Sequence, residues 1–408
     1  MKTRRVRRGL PFICVFMTIT LVTLTSSYSV RETAAEDKTL KIGVFAALTG
    51  FASPAEVHQR DGAVMAVDWI NENGGITVKG EKYLLKAIVE DHKTTSEGAK
   101  AAAEKLIYGD KVKYIVGATI PYINIAAGTV TEPAKVIRAL NYVCETPPEL
   151  NANTPYTFKA NPAILDGIGP ALDYLVEKYP DVKTIGMITP QDGAEPYLIP
   201  LCEKAAKERG LTQVSAVPWP HDTVDFYPKV TELLAPKPDA LFIVNGYELA
   251  TGPIIKAARE QGFKGPIPMG NFDCPYDIVQ IAGADMVAPF WTHGWSQDED
   301  EPQLTPEMKL IIKTAKAKLG KFHQWNLWGW NEVWVLAQAI ENAQSLDTTE
   351  VANAWRKMKN IKTVYGPGRM GGQKTYGINN AVCSPVAITE VLPGGAVKHV
   401  KWVDVYIP

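Results

Sequence analysis

The chain is poor in the patterns that carry catalysis. Its 408 residues contain no GxSxG, HExxH or GxxxxGK[ST], so the nucleophile elbow, the helical zinc pair and the phosphate-cradling loop are missing. The one G-x-G-x-x-G match, Gly366 to Gly371, does not sit between a strand and a crossover helix and reads as a turn. Cysteine is scarce. Cys144, Cys202, Cys274 and Cys383, with Cys14 near the start, show neither CxxC nor Cys/His ligand spacing, so they spell out no zinc site and no disulfide pairing. His92, His221 and His293 are isolated, and Asp91, Asp192 and Glu248 fall on different loops, where each reads as a solvated loop residue or a helix cap. Neither metal nor cofactor is implied.

Only one long apolar run is present, Leu10 to Leu24, and it lies at the N-terminus. Lys2, Arg4, Arg5, Arg7 and Arg8 precede it and Thr25-Ser26-Ser27-Tyr28-Ser29 follows, the layout of a cleaved signal peptide over residues 1–29, with Ala34-Ala35 as a second place for the cut. An uncleaved anchor is the competing reading. Removing five bases and no acid from a chain of net charge −1 leaves −6, which argues against nucleic acid as a partner.

What remains is long enough for two lobes, and its pattern repeats. KIGVFAALTG, Lys41 to Gly50, is a buried strand that empties into a loop, and the apolar face of RDGAVMAVDWINENGG is a helix stopped by Gly74-Gly75. Tyr83 to Glu90, Val112 to Val116 and Val136 to Val143 continue as strands, separated by helices. After Asn151 to Pro162, a proline-broken crossover, the alternation restarts: KTIGMITPQDG and ALFIVNGYEL stand where KIGVFAALTG and VKYIVGATIPY stood. Strand-helix alternation implies right-handed crossovers and parallel sheets covered on both faces. The expected architecture is α/β and two-lobed, with residues 38–158 and 289–362 in the first lobe and 159–288 and 363–408 in the second. Three passages between the lobes would act as a hinge.

Ligands of parallel sheets sit at the carboxyl edge, where loops converge and helix N-termini offer free N–H groups. The loops at that edge hold the hydroxyls of Thr49, Ser53, Thr119 and Thr146 and the aromatics Phe51, Tyr122, Tyr247, Phe272, Trp295 and Trp328. Hydroxyls beside helix N-termini suit a small carboxylate, and rings next to loop glycines suit a pocket.

These segments carry a family resemblance. LKIGVFAALTG with RDGAVMAVDWINENGGI, the loops GATIPY and CETPPEL, the crossover PYTFKANP and the run PDALFIVNGYELATGPIIKAAREQGFKGPIPMG resemble the leucine/isoleucine/valine class of type I periplasmic binding proteins, the extracytoplasmic receptors of ABC importers. The resemblance implies a periplasmic receptor with no activity as an enzyme, which binds a branched-chain or related amino acid and delivers it to an ABC permease in the inner membrane. It places the ligand carboxylate at Thr119 and Thr146, and the second-lobe aromatics and acid at Tyr247 and Phe272-Asp273. Members commonly read Asp-x-Tyr-Gly where this chain has Asp192-Gly193-Ala194-Glu195, so a pocket tyrosine is missing. An aromatic or other small carboxylate is therefore the alternative ligand, and a secreted α/β hydrolase or amidase the alternative of another class. The expected ligand-binding residues are Phe51, Ser53, Thr119, Tyr122, Thr146, Asp192, Tyr247, Phe272 and Asp273.

Overall fold

The computed structural model describes residues 38–140 and 146–408. The expected signal peptide of residues 1–29, the end of the strand expected to reach Val143, and Cys144 lie outside the described residues.

Chain order explains the first lobe. β1 (Lys38–Ala46) leads into α1 (Ser53–Glu72), and a short hairpin of β2 (Ile76–Val78) and β3 (Glu81–Asp91) follows. The units α2 (Ser96–Glu104), β4 (Tyr114–Val116), α3 (Pro121–Thr131), β5 (Ile137–Leu140) and β6 (Thr157–Lys159) complete the run. β1, β4, β5 and β6 are parallel neighbours, as is β3 on the other side of β1. Residues 42–46 of β1 and the whole of β4 are buried, which explains why they are continuous apolar runs and not alternating ones. α1 begins seven residues before the apolar pattern that starts at Arg60, because Pro54 opens its first turn without costing a hydrogen bond. It ends at Gly74 and Gly75, both at positive φ, where the Gly75 N–H donates to the Ile70 carbonyl.

The second lobe repeats the plan. α4 (Ile164–Lys178), β7 (Thr184–Pro190), α5 (Glu195–Lys207), β8 (Thr212–Trp219), α6 (Tyr227–Leu234), β9 (Ala240–Ile243), α7 (Glu248–Glu260), β10 (Ile267–Pro268), α8 (Pro275–Ala282), α9 (Ala284–Val287) and β11 (Phe290–Thr292) follow in order. β7 lies between β8 and β9 just as β1 lies between β3 and β4, so the two segments paired by sequence hold equivalent places. The chain then returns to the first lobe through α10 (Pro306–Leu319), α11 (Trp325–Ala343) and α12 (Thr348–Trp355). α11 lies on α1 at very close range: a Cβ on Gly62 would meet the Asn326 carbonyl oxygen at 2.1 Å, and one on Gly329 the Gln59 oxygen at 1.9 Å.

The tail departs from the expected division. β12 (Ile361–Thr363), β13 (Gly366–Gly371) and, after α13 (Gln373–Tyr376), β14 (Ala381–Cys383) extend the first sheet, giving the order β12-β13-β14-β6-β5-β4-β1-β3-β2. The split after residue 362 is thus replaced by a passage between β14 and β15 (Val386–Val391), which with β16 (Val397–Val403) joins β11 in the second lobe. β11 itself pairs with β10 in the second lobe, so the middle passage follows residue 292 and not 288. The glycine-rich run of β13 is a strand rather than a turn: it pairs antiparallel on both sides, with β12 and β14. Local glycine content suggests a turn, but the ladder on either side supplies the hydrogen bonds that hold it extended.

Three strands of chain therefore link the lobes, and buried polar side chains tie them together. Asn331 Nδ2 donates to the Ala160 carbonyl at 3.0 Å, its Oδ1 accepts from the Val364 N–H at 3.0 Å, and the Tyr365 hydroxyl donates to Asn161 Oδ1 at 2.9 Å. Lys159 and Asp166, fully buried on either side of the first passage, pair at 2.6 Å. His293 bonds the carbonyls of Ala387 at 2.7 Å and Gly167 at 2.9 Å, so this histidine is structural. Among the described residues, no helix is long and apolar enough to cross a membrane.

Candidate functional site

The carboxyl ends of parallel strands in both lobes face one cleft of 610 Å3. The first lobe contributes the loop after β1 with the start of α1 (Phe51, Ala55, His58), the loop after β4 (Thr119, Ile120) and the entry to α11 (Lys321, His323, Trp325, Trp328). The second contributes Asp192 after β7, His221 after β8, Asn245 to Leu249 after β9, and Asn271, Phe272 and Asp277 after β10. Parallel strands place their loops on one edge and the entry to α11 joins them there, so residues as far apart in sequence as Phe51 and Trp328 line one cleft.

Of the nine expected residues, Phe51, Thr119, Asp192, Tyr247 and Phe272 line this cleft, and Ser53, Tyr122, Thr146 and Asp273 do not. Ser53 opens α1. The Tyr122 hydroxyl donates to the Thr94 carbonyl at 3.1 Å, and burial pushes its pKa up to about 12. Thr146 turns inward, its hydroxyl donating to Glu149 Oε2 at 3.0 Å. Asp273 is buried, accepts from the Cys274 N–H at 2.8 Å, and is pushed well above the usual carboxylate range by burial and by the neighbouring Glu248. Standing behind the wall, its carboxyl does not reach a ligand in the cleft.

Glu248 faces the cleft instead, at the start of α7, with its carboxyl raised by burial despite the pull of His323. Asp192 Oδ2 accepts from Asn245 Nδ2 at 2.6 Å and its Oδ1 from the Ala194 N–H at 2.9 Å, while burial lifts its pKa to about 6. Two groups of rings line the cleft: Phe51 lies 4.9 Å from the His221 ring, which lies 6.0 Å from Tyr247, and Phe272 stands edge-on to Trp328 at 6.4 Å.

His58, Asp277 and His323 have no counterpart in the sequence reading. His323 Nδ1 accepts from the Trp325 N–H at 3.2 Å, which puts its proton on Nε2, and Nε2 donates to Asp277 Oδ2 at 2.9 Å with Glu248 Oε1 at 3.8 Å. His58 stacks on the His323 ring at 4.3 Å, and burial with the adjacent His323 pushes its pKa down to about 4. Cys274, Asp277 and His323 hold donor atoms within 4.8 Å of one another, but the Nε2 lone pair a metal would need is occupied by the proton shared with Asp277. His58 was findable, since it lies one turn inside the true start of α1. The His323 contact spans 46 positions and two lobes, and no local pattern signals it.

The family model for periplasmic binding proteins matches residues 39–396. The chain belongs to the periplasmic binding protein family. A leucine-, isoleucine-, valine-, threonine- and alanine-binding protein of Pseudomonas aeruginosa is 27% identical over 329 residues, 78% of this chain and 82% of that one. Among solved structures, a leucine-binding protein of Thermotoga maritima superposes with a TM-score of 0.71 at 22% identity, covering 90% of this chain and 99% of its own. A solute-binding protein of Rhodopseudomonas palustris in complex with p-hydroxybenzoic acid gives 0.73 at 18% identity, covering 90% and 97%. The periplasmic binding protein fold accounts for the two-lobed arrangement and for a cleft assembled from loops of both halves.

Proposed function

We propose that this protein is the extracytoplasmic receptor of an ABC importer, closing its lobes over a small organic solute and presenting it to a permease in the inner membrane without chemical change. The observation that carries the reading is the cleft itself: aromatic rings from both lobes line a space of 610 Å3, ample for a small organic solute, into which Asp192, Glu248 and Asp277 all face. A branched-chain or related amino acid fits these features, its side chain against Phe51, Tyr247, Phe272 and Trp328 and its ammonium beside Asp192 and Glu248. An ammonium buried without such a partner would be too costly to hold. The family is one of solute receptors, which supports an extracytoplasmic location and a binding role.

One observation favours a second ligand. The acid expected at Asp273 is turned away while the Phe272 ring faces the cleft, which suits an aromatic carboxylate. A thermal-shift screen of amino acids against aromatic and aliphatic acids separates the two, since a solute that binds only the folded state stabilises it by RT ln(1 + [L]/Kd). Shifts confined to acids without an amine would end the amino-acid assignment and keep the receptor. Turnover of a tightly bound solute would instead favour the hydrolase reading.

A further inference from the structure

Thr119 lines the cleft, and its hydroxyl has a single hydrogen. The structure commits that hydrogen elsewhere: Thr119 Oγ1 donates to Glu56 Oε1. Glu56 sits fully buried in the first turns of α1, where its Oε2 accepts from the Ala47 N–H at 2.6 Å and meets His92 Nε2 at 2.7 Å. His92 Nδ1 accepts from the Thr94 N–H at 3.2 Å, so the ring's proton lies on Nε2 and points at Glu56. A carboxyl receiving three donors is held in its ionised form. Burial alone would raise the Glu56 pKa, but His92, Thr119 and the Ala47 N–H together hold it below the ordinary value.

With its hydrogen given to a carboxylate, the hydroxyl keeps only lone pairs for the cleft. We propose that Thr119 is a hydrogen-bond acceptor for the bound solute and that Glu56 is the positioning residue fixing this polarity, so that the first lobe selects solutes presenting an N–H or O–H donor at that end. This rests on the cleft being the solute site, and it reverses the role of carboxylate donor that the family resemblance gives Thr119. The opposite wall agrees, for Asn271 Oδ1, buried and lining the cleft, finds no donor among the described residues. Trp325, another lining residue, has its Nε1 without a partner among them as well.

Matched solute pairs test the polarity. L-leucine against 4-methyl-2-oxopentanoate, and 4-hydroxybenzoate against benzoate, differ in a donor while sharing the carboxylate. By calorimetry, the donor-bearing member should bind about 10- to 100-fold tighter, and Thr119→Val should weaken that member about 10-fold or more while leaving its partner within about threefold. Thr119→Ser should restore the preference. Equal weakening of both members by Thr119→Val overturns the proposal, because the hydroxyl would then serve the shared carboxylate. Carboxyl-labelled NMR of the solute-free protein decides the hydrogen's direction separately: Glu56 should be ionised at pH 7, with its pKa raised in Thr119→Val, and a protonated Glu56 overturns the inference whichever solutes bind. Failure of every pair to bind would sink the ligand assignment above, while the Glu56 titration still decides the polarity.

Discussion

The contact between His323 and Asp277 should set how readily the cleft closes. His323 stands at the entry to α11 in the first lobe and Asp277 on α8 in the second, 2.9 Å apart. A hydrogen bond to a charged group contributes about 1.5–3 kcal/mol. Asp277 is one-third exposed, so screening reduces this to about 1 kcal/mol. That is roughly a fivefold change in the ratio of closed to open protein, and apparent affinity falls by the same factor when the closed form is the minor one. Asp277→Asn should therefore weaken every solute about fivefold, whatever its charge, and should shift the solute-free protein toward a more open form.

Small-angle scattering, or a spin-label pair with one label on each lobe, reads the opening. A double-mutant cycle with His323→Ala then isolates the pair, with a coupling of about 1 kcal/mol expected. Two results would refute the reasoning. If Asp277→Asn weakens only cationic solutes, the carboxylate is a ligand contact and not a latch. If coupling is below about 0.3 kcal/mol, the two side chains are neighbours without consequence.

The fold was legible because its signals are local and doubled. KIGVFAALTG and KTIGMITPQDG are each short enough to be strands and apolar enough to be buried on both faces, and β1 and β7 occupy matching places. The tail was less so. Gly366-Pro367-Gly368 has the composition of a turn, and only the partners on either side, β12 and β14, make it a strand. The site divides in the same way. Phe51, Thr119, Asp192, Tyr247 and Phe272 follow directly from strands that end at the cleft, so strand assignment alone located them. Asp273 and Phe272 are adjacent and must point to opposite sides, a choice the sequence does not fix. His323 reaches Asp277 only because α10 and α11 return the chain to the first lobe.

Four other outcomes follow. Glu248→Gln should cost an amino-acid ligand about 30-fold in affinity, and Asp273→Asn less than about threefold, because only Glu248 faces the cleft. Trp355→Ala, which removes the ring stacked on Phe158 at 4.2 Å, should lower the unfolding free energy by about 3–5 kcal/mol in a urea titration without changing ligand preference. Gly329→Ala should lower the melting temperature, as the added methyl would sit 1.9 Å from the Gln59 oxygen unless α1 and α11 separate, and an unchanged melt would contradict the close crossing. The last concerns pH. Burial raises Asp192 to about 6 from an ordinary value of 3.8, so the folded protein takes up this proton first as pH falls. Between pH 6 and 4 the folded state binds the more protons, and Asp192 thus contributes stability that is present below 3.8 and lost as pH rises through 6. Affinity moves the other way, because the ionised form is the one that attracts an ammonium. A cationic solute should bind more weakly below about pH 6 while the solute-free protein gains stability there, and Asp192→Asn should flatten both trends. If affinity and solute-free stability instead fall together on acidification, and Asp192→Asn leaves both slopes in place, some other group governs the cleft's charge.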